Sequence, residues 1–241
     1  METVAIITLI FIVAILYASV GHGGASGYLT VMALISVAPE IARPTALILN
    51  VIVASIGLIQ FSRSGAFSWK IFLPFALGSI PFAFIGGSII LPATGYRLLL
   101  GIVLFLAAVR LAIWIPSKEE TKRPPFIIAI LIGAGIGLLS GLVGVGGGIF
   151  LTPLLLFCGW ADARKAAGVS AAFILVNSVS GLMAIKNLSS LFDSTIIAWI
   201  AAAAIGGFIG SLLGAKKFEL ITLRRILAVV LVFASIKLIF T

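Results

Sequence analysis

A glycine-rich break occurs twice in this chain, each time inside a long apolar stretch. The first reads Val20-Gly21-His22-Gly23-Gly24-Ala25, and the second, 123 positions later, reads Val143-Gly144-Val145-Gly146-Gly147-Gly148. Four glycines within the five residues Gly144 to Gly148 are poor helix material, each about 1 kcal/mol worse than alanine. Unwound backbone cannot face hydrocarbon, where each unpaired N–H or C=O costs several kcal/mol, so it persists only inside protein or beside a water-filled cavity. A matched pair of such breaks points to a solute site.

The hydrocarbon setting follows from composition. Of the 241 residues, 62% are hydrophobic and 10% charged, with a mean hydropathy of +1.32. Globular domains run at about 45–50% apolar and about 25% charged. The expected class is therefore an all-α integral membrane protein, one transport domain over residues 1–241 with no room for a sizeable soluble domain. The net charge of +9 does not argue for nucleic acid, because the basic residues cluster at the ends of apolar runs, where they meet the anionic lipid surface. Cys158 is the only cysteine, so neither an intrachain disulfide nor a thiolate metal cluster is expected. No metal and no cofactor are expected. The first apolar stretch lacks a basic leader and runs past any cleavage point, and is read as retained.

The two halves align at an offset of 127: Asn50 with Asn177, Gly87 with Gly214, Arg97 with Arg224 and Arg110 with Lys237. Residues 1–115 and 126–241 thus read as two copies of one unit, joined by a polar, proline-bounded linker over 116–125. Each unit opens on a stretch too long for one crossing. Residues 3–37 would reach about 52 Å as straight helix against a core of about 30 Å. The arm from Ile149 to Gly159 falls well short of the roughly 20 residues a crossing needs. Each unit is therefore expected to hold a re-entrant helical hairpin, or two short helices, and then three spans: 44–62, 70–92 and 96–114, then 166–185, 194–215 and 222–240. A hairpin plus three spans is an odd count of crossings, so the second unit should be inverted. On that reading the basic residues divide 12 to 4 between the two faces; parallel repeats divide them 8 to 8. The positive-inside rule prefers inversion, with both termini outside.

The second arm of each hairpin starts just after the glycines. Its first-turn N–H groups, taken as those of Ser26, Gly27 and Tyr28 and of Ile149, Phe150 and Leu151, lack intrahelical partners and attract anions. The substrate-binding set is Gly21, His22, Gly23, Gly24, Ala25, Ser26, Thr45, Asn50, Gly144, Val145, Gly146, Gly147, Gly148, Thr152, Ser170 and Asn177. His22, the only histidine, has two readings: a group protonated on substrate binding, or a neutral imidazole bonded to nearby backbone. Asn50 and Asn177 either fix the hairpin tips or contact substrate, since an amide inside a span must find a partner. Gly87, Gly206, Gly210 and Gly214 read as helix-packing positions, the last three at a four-residue spacing. The carboxylates Glu2, Glu40, Glu119, Glu120, Asp162, Asp193 and Glu219 all map to loops or span ends, unlike the buried acids of cation pumps. Glu40 with Arg43, and Asp162 with Arg164 and Lys165, follow the hairpins as gate ion pairs or solvated clusters. Neither break completes a P-loop or a G-x-G-x-x-G after a strand.

With these residues in view, the run Gly141-Leu142-Val143-Gly144-Val145-Gly146-Gly147-Gly148-Ile149-Phe150-Leu151-Thr152-Pro153-Leu154 resembles the sulfite exporter TauE/SafE family of membrane permeases, over nearly the whole chain. The first half departs from that glycine pattern at His22, Ala25 and Ser26. The resemblance implies a multi-pass protein of a bacterial inner membrane that transports a small sulfur-containing anion such as sulfite, sulfoacetate or another organosulfonate. The expected function is a secondary transporter working by alternating access, not an enzyme, with a passive anion channel as the alternative. Substrate identity, direction, coupling ion and oligomeric state, a homodimer among the options, stay open.

Overall fold

The computed structural model describes residues 2–112, 122–185, 194–215 and 221–240. Within them are ten helices: α1 Glu2–Ala18, α2 Ala25–Leu34, α3 Pro39–Arg63, α4 Trp69–Ser88, α5 Ala93–Ala112, α6 Phe126–Val143, α7 Gly148–Phe157, α8 Ala163–Met183, α9 Ser194–Ala215 and α10 Ile221–Phe240. The linker over 116–125 falls mostly outside the described residues. Both expected breaks appear, and a helix stands at each expected span with its ends shifted by a few residues; four of those six helices, α3, α4, α8 and α9, are long and apolar enough to cross a membrane, as is α6.

Both long opening stretches divide where glycine takes over. Gly21 and Gly24 in the first break, and Gly144, Gly146 and Gly147 in the second, have φ between 75° and 99°, a region that costs other L-residues about 1–2 kcal/mol. The N-caps of α2 and α7 are the left-handed Gly24 and Gly147. Each of these helices has 10 residues, about 15 Å or half the hydrocarbon core. The turns that follow them match as well: Ser36 and Gly159, again 123 positions apart, both have positive φ.

Close approaches fix the helix directions. Leu47 lies beside Gly181, Asn50 meets Ser178 and Gly57 faces Ala171, so α3 and α8 run antiparallel. Gly133, Gly137 and Gly141 seat on the backbone of Phe75, Ser79 and Ala83, so α4 and α6 run parallel. Gly206, Gly210 and Gly214 seat in the same way on Phe11, Ile15 and Ser19, making α1 and α9 parallel. Gly87 abuts the backbone of Gly181. The four glycines read as packing positions do pack, with no room for a Cβ. Gly21, beyond the end of α1, rests on Ala167 near the start of α8, beside Ala66 past the end of α3; Gly144, beyond the end of α6, rests on Arg43 near the start of α3. The two breaks therefore approach from opposite faces of the molecule.

The surface is inverted relative to a water-soluble protein. Leu73, Leu77, Phe84, Ile102, Leu106, Ile127, Leu131 and Phe233 are exposed, whereas Ser26, Thr45, Asn50, Ser79, Ser140, Ser170, Asn177 and Ser178 are buried. An apolar exterior with its polar groups turned inward suits lipid as the outer solvent. Five helices are long and apolar enough to cross a membrane by length and composition, and five shorter apolar ones accompany them. The chain is a multi-pass membrane protein.

Candidate functional site between the two glycine breaks

Asn50 joins the two breaks. It sits midway along α3, fully buried, and its Oδ1 accepts from the Ala25 N–H at 3.0 Å while its Nδ2 donates to the Val145 carbonyl at 3.2 Å and lies 3.4 Å from Ser178 Oγ. One side chain thus ties the first turn of α2, the loop before α7 and the face of α8. The glycines leave room for it. A Cβ on Gly23 would collide with Asn50 Oδ1, one on Gly146 would fall 2.6 Å from Asn50 Nδ2, and one on Gly148 would collide with Ile174.

The remaining glycines serve the walls. Gly24 lies against the Tyr28 ring, Gly147 against Ile136 and Phe173, Gly21 against the Ala167 backbone and Gly144 against Arg43. The first-turn amides are displaced slightly from expectation. Tyr28 N–H bonds to Gly24 O, and both Phe150 and Leu151 N–H reach Gly147 O. Those three are engaged because each arm starts at the residue after its glycine cap. Ser26, Gly27, Gly148 and Ile149 are the first-turn positions that lie before those bonds begin.

A second polar thread runs from the first break into the second half. His22 Nδ1 is 3.1 Å from the Val20 carbonyl, His22 Nε2 is 3.3 Å from Thr152 Oγ1, and Thr152 Oγ1 is 2.7 Å from Ser170 Oγ. Because the carbonyl can only accept, Nδ1 carries the proton. A neutral ring then accepts from Thr152 at Nε2, and a charged ring donates there, with the hydroxyl pair reversing to suit. Both earlier readings of His22 fit this geometry. Ser26 Oγ donates to Tyr17 Oη at 2.7 Å, and the Tyr17 ring stands edge-on to His22 at 6.3 Å.

Thr45 and Asn177 stand apart from these bonds. Both are fully buried; Thr45 Oγ1 and both Asn177 amide atoms have no partner among the described residues, nor do Ser79 Oγ and Ser140 Oγ. An unpaired buried amide costs several kcal/mol. Asn177, which the sequence alignment sets against Asn50, is thus in the opposite state.

Sequence reasoning missed Ser178 and Tyr17. Ser178 follows Asn177, and it is Ser178 that meets Asn50; the alignment of Asn50 with Asn177 carried no signal for this contact. Tyr17 carried a signal, since a phenol in an apolar helix usually needs a partner. Arg43 does not pair with Glu40 as a gate. Its guanidinium donates to the carbonyls of Gly86, Gly87 and Ile89 at 2.6–3.1 Å, where α4 ends with unpaired acceptors. Asp162 does form its ion pair, with Lys165 Nζ at 3.3 Å, and caps α8 by accepting from Lys165 N–H at 2.9 Å. Partial burial raises its pKa, but the backbone and side-chain bonds from Lys165 outweigh this and hold the carboxyl below its usual value.

Residues 6–238 match the model of a family described as "Sulfite exporter TauE/SafE". The chain is 37% identical over 242 residues to Probable membrane transporter protein y4hK of Sinorhizobium fredii, covering 98% of both chains. It is 26% identical over 262 residues to Probable membrane transporter protein YjnA of Bacillus subtilis, covering 98% of this chain and all of the relative. To Probable membrane transporter protein MJ0441 of Methanocaldococcus jannaschii it is 29% identical over 188 residues, covering 72% of this chain and 68% of the relative. No solved structure matches.

Proposed function

The chain belongs to the sulfite exporter TauE/SafE family of membrane transporters, and on that premise we propose that it carries a small sulfur-containing anion, sulfite or an organosulfonate, by alternating access. The observation that carries this reading is the unequal state of the two asparagines. Asn50 closes both breaks together, while the equally buried Asn177 has neither amide atom bonded. In a transporter of two inverted repeats, such inequality is expected of one end state, and the other state exchanges the roles of the halves. The helix directions support this arrangement: α1 and α3 end at one face, whereas their mates α6 and α8 end at the other. Residues 1–115 and 126–241 are then the two repeats of a single transport domain.

The anion would sit where the breaks overlap, once they part. The first-turn N–H groups of α2 and α7, the amides of Asn50 and Asn177, and the hydroxyls of Thr152 and Ser170 would replace its lost water. His22 lies within the same set. Among the described residues the buried side chains with polar atoms are those of Ser, Thr, Asn, His, Tyr and Trp, and none is Lys, Arg, Asp or Glu. Neutral donors hold an anion without a fixed counter-charge, which favours release. Tight packing of Gly23, Gly146 and Gly148 speaks for a carrier over an open pore.

Counterflow in proteoliposomes tests this. Labelled sulfite, and separately labelled sulfoacetate, should enter faster when the same unlabelled anion is loaded inside. Flux without such acceleration would replace the carrier with a channel, and no flux of either anion would overturn the substrate class.

A further inference from the structure

We propose that a second anion site, outside the paired breaks, lies in the cleft between the α2–α3 turn and the ends of α5 and α10. The cleft encloses about 280 Å³ and its lining includes Ser36, Tyr96, Arg97 and Lys237 on otherwise apolar walls. Two cations over low-dielectric walls focus their field outward and raise the local concentration and on-rate of anions. Glu40, the acid in the first turn of α3, is exposed and is not among the lining residues, although it is near enough to act electrostatically on Tyr96, which is.

Three further observations make this more than a charged surface. Lys237 Nζ is held in place, 3.2 Å from Ala33 O, 3.1 Å from Leu34 O and 3.4 Å from Ser36 Oγ, so its charge is fixed at the cleft. Ser36 is the one non-glycine with positive φ among the described residues, at 60°. Its mate in the second half, Gly159, adopts the same turn without a Cβ. The Ser36 hydroxyl faces Lys237 Nζ across this turn. Finally, the cation pair is written twice in the sequence, as Arg97 with Lys237 and, by the repeat, Arg224 with Arg110.

The ligand class is a small oxyanion bearing one or two negative charges, whether a free sulfur oxyanion or the phosphate of a lipid headgroup. The cleft lies at the same end of the molecule as the start of α3, opposite Arg63 and Asp162. If the first source holds, it is the loading vestibule for the carrier proposed above and rests on that reading.

The test uses the full chain with Arg97→Gln, Arg97→Lys and Ser36→Ala, because Lys237→Gln also removes the contacts that hold the end of α2. Sulfite is titrated calorimetrically into protein in phosphatidylcholine nanodiscs, and sulfite uptake is measured in vesicles of the same lipid. Retention of phosphatidylglycerol is read separately by native mass spectrometry. For a free oxyanion, Arg97→Gln should raise the apparent KM about tenfold at low salt with the maximal rate preserved, remove the salt dependence of KM seen in the parent, and be rescued by Arg97→Lys. For a headgroup, Arg97→Gln should lose phosphatidylglycerol while KM is unchanged. Unchanged KM, sulfite binding and lipid retention together would overturn the proposal. Absence of sulfite transport in the parent would instead sink the carrier reading, and the binding and lipid measurements would still decide the cleft.

Discussion

Asn50 and Asn177 make opposite predictions although they are chemically identical and equally buried. Replacing Asn50 by Leu strands the Ala25 N–H and the Val145 carbonyl, each costing about 1–3 kcal/mol when left unsatisfied. The Asn50→Leu protein should show a clearly lower thermal midpoint in detergent. Asn177→Leu strands nothing among the described residues, so its midpoint should hold or rise. Its counterflow should nevertheless fall at least tenfold if that amide faces the solute. A lowered midpoint for Asn177→Leu, or wild-type flux, would remove the residue from the site. The glycines of the breaks are less suited to such tests. Valine at Gly23 or Gly146 would press on Asn50, so lost transport could not be separated from disturbed folding.

At the scale of the element, glycine marks two kinds of contact. On α4 and α6 it brings backbones together: Gly78 and Gly86 on one helix, Gly133, Gly137 and Gly141 on the other, each touching an opposing carbonyl. Such approaches gain dispersion and weak Cα–H···O contacts that lipid cannot replace. Gly137→Val should therefore abolish folded protein in the membrane. Gly135, one helix but another face away, has nothing within 4 Å of its would-be Cβ. Gly135→Ala should be neutral, or stabilising by up to about 1 kcal/mol. Size-exclusion profiles of fluorescent fusions would compare the two.

The start of α8 depends on one carboxylate. Asp162→Ala removes the bond to Lys165 N–H and the ion pair, and loss of such a cap costs about 0.5–2 kcal/mol. The bonds hold the Asp162 pKa below its unfolded value despite the opposing effect of burial. Its stabilisation is therefore complete above the unfolded carboxylate range of about 4 and fades as pH falls through the lowered folded value. The thermal midpoints of parent and Asp162→Ala should differ at pH 7 and converge in strong acid. A gap that persists there would assign the effect to something other than this ionisation.

For the whole molecule, the testable quantity is orientation. The helix directions place Arg63, Lys122, Arg123, Arg164 and Lys165 at one end and Arg43, Arg97 and Lys237 at the other. The excess of basic residues should lie in the cytoplasm. Cys158 is exposed and sits after α7, next to the Asp162 end. As the only cysteine in the chain, it reports on sidedness without engineering. A membrane-impermeant maleimide should leave it unmodified in intact cells and label it in inside-out vesicles. The reverse pattern would invert the topology and place the Arg97 and Lys237 cleft inside.

Much of this architecture was legible in the residues. Glycine's tolerance of positive φ, a span's fixed length and the positions of charge are local or additive properties. They gave the breaks at Gly21 and Gly144, the short arms and the positions of the six longer helices. They also reached Asn50, because an amide in an apolar helix demands a partner whatever the fold. Which partner it takes is a different kind of fact. That Asn50 bonds Ala25 and Val145 while Asn177 bonds neither, that Ser178 and not Asn177 faces Asn50, and that Arg43 turns to the end of α4 depend on where helices far apart in sequence come to rest. Side chains alike in type and burial are free to take unequal partners, and only three-dimensional packing decides which of them is bonded.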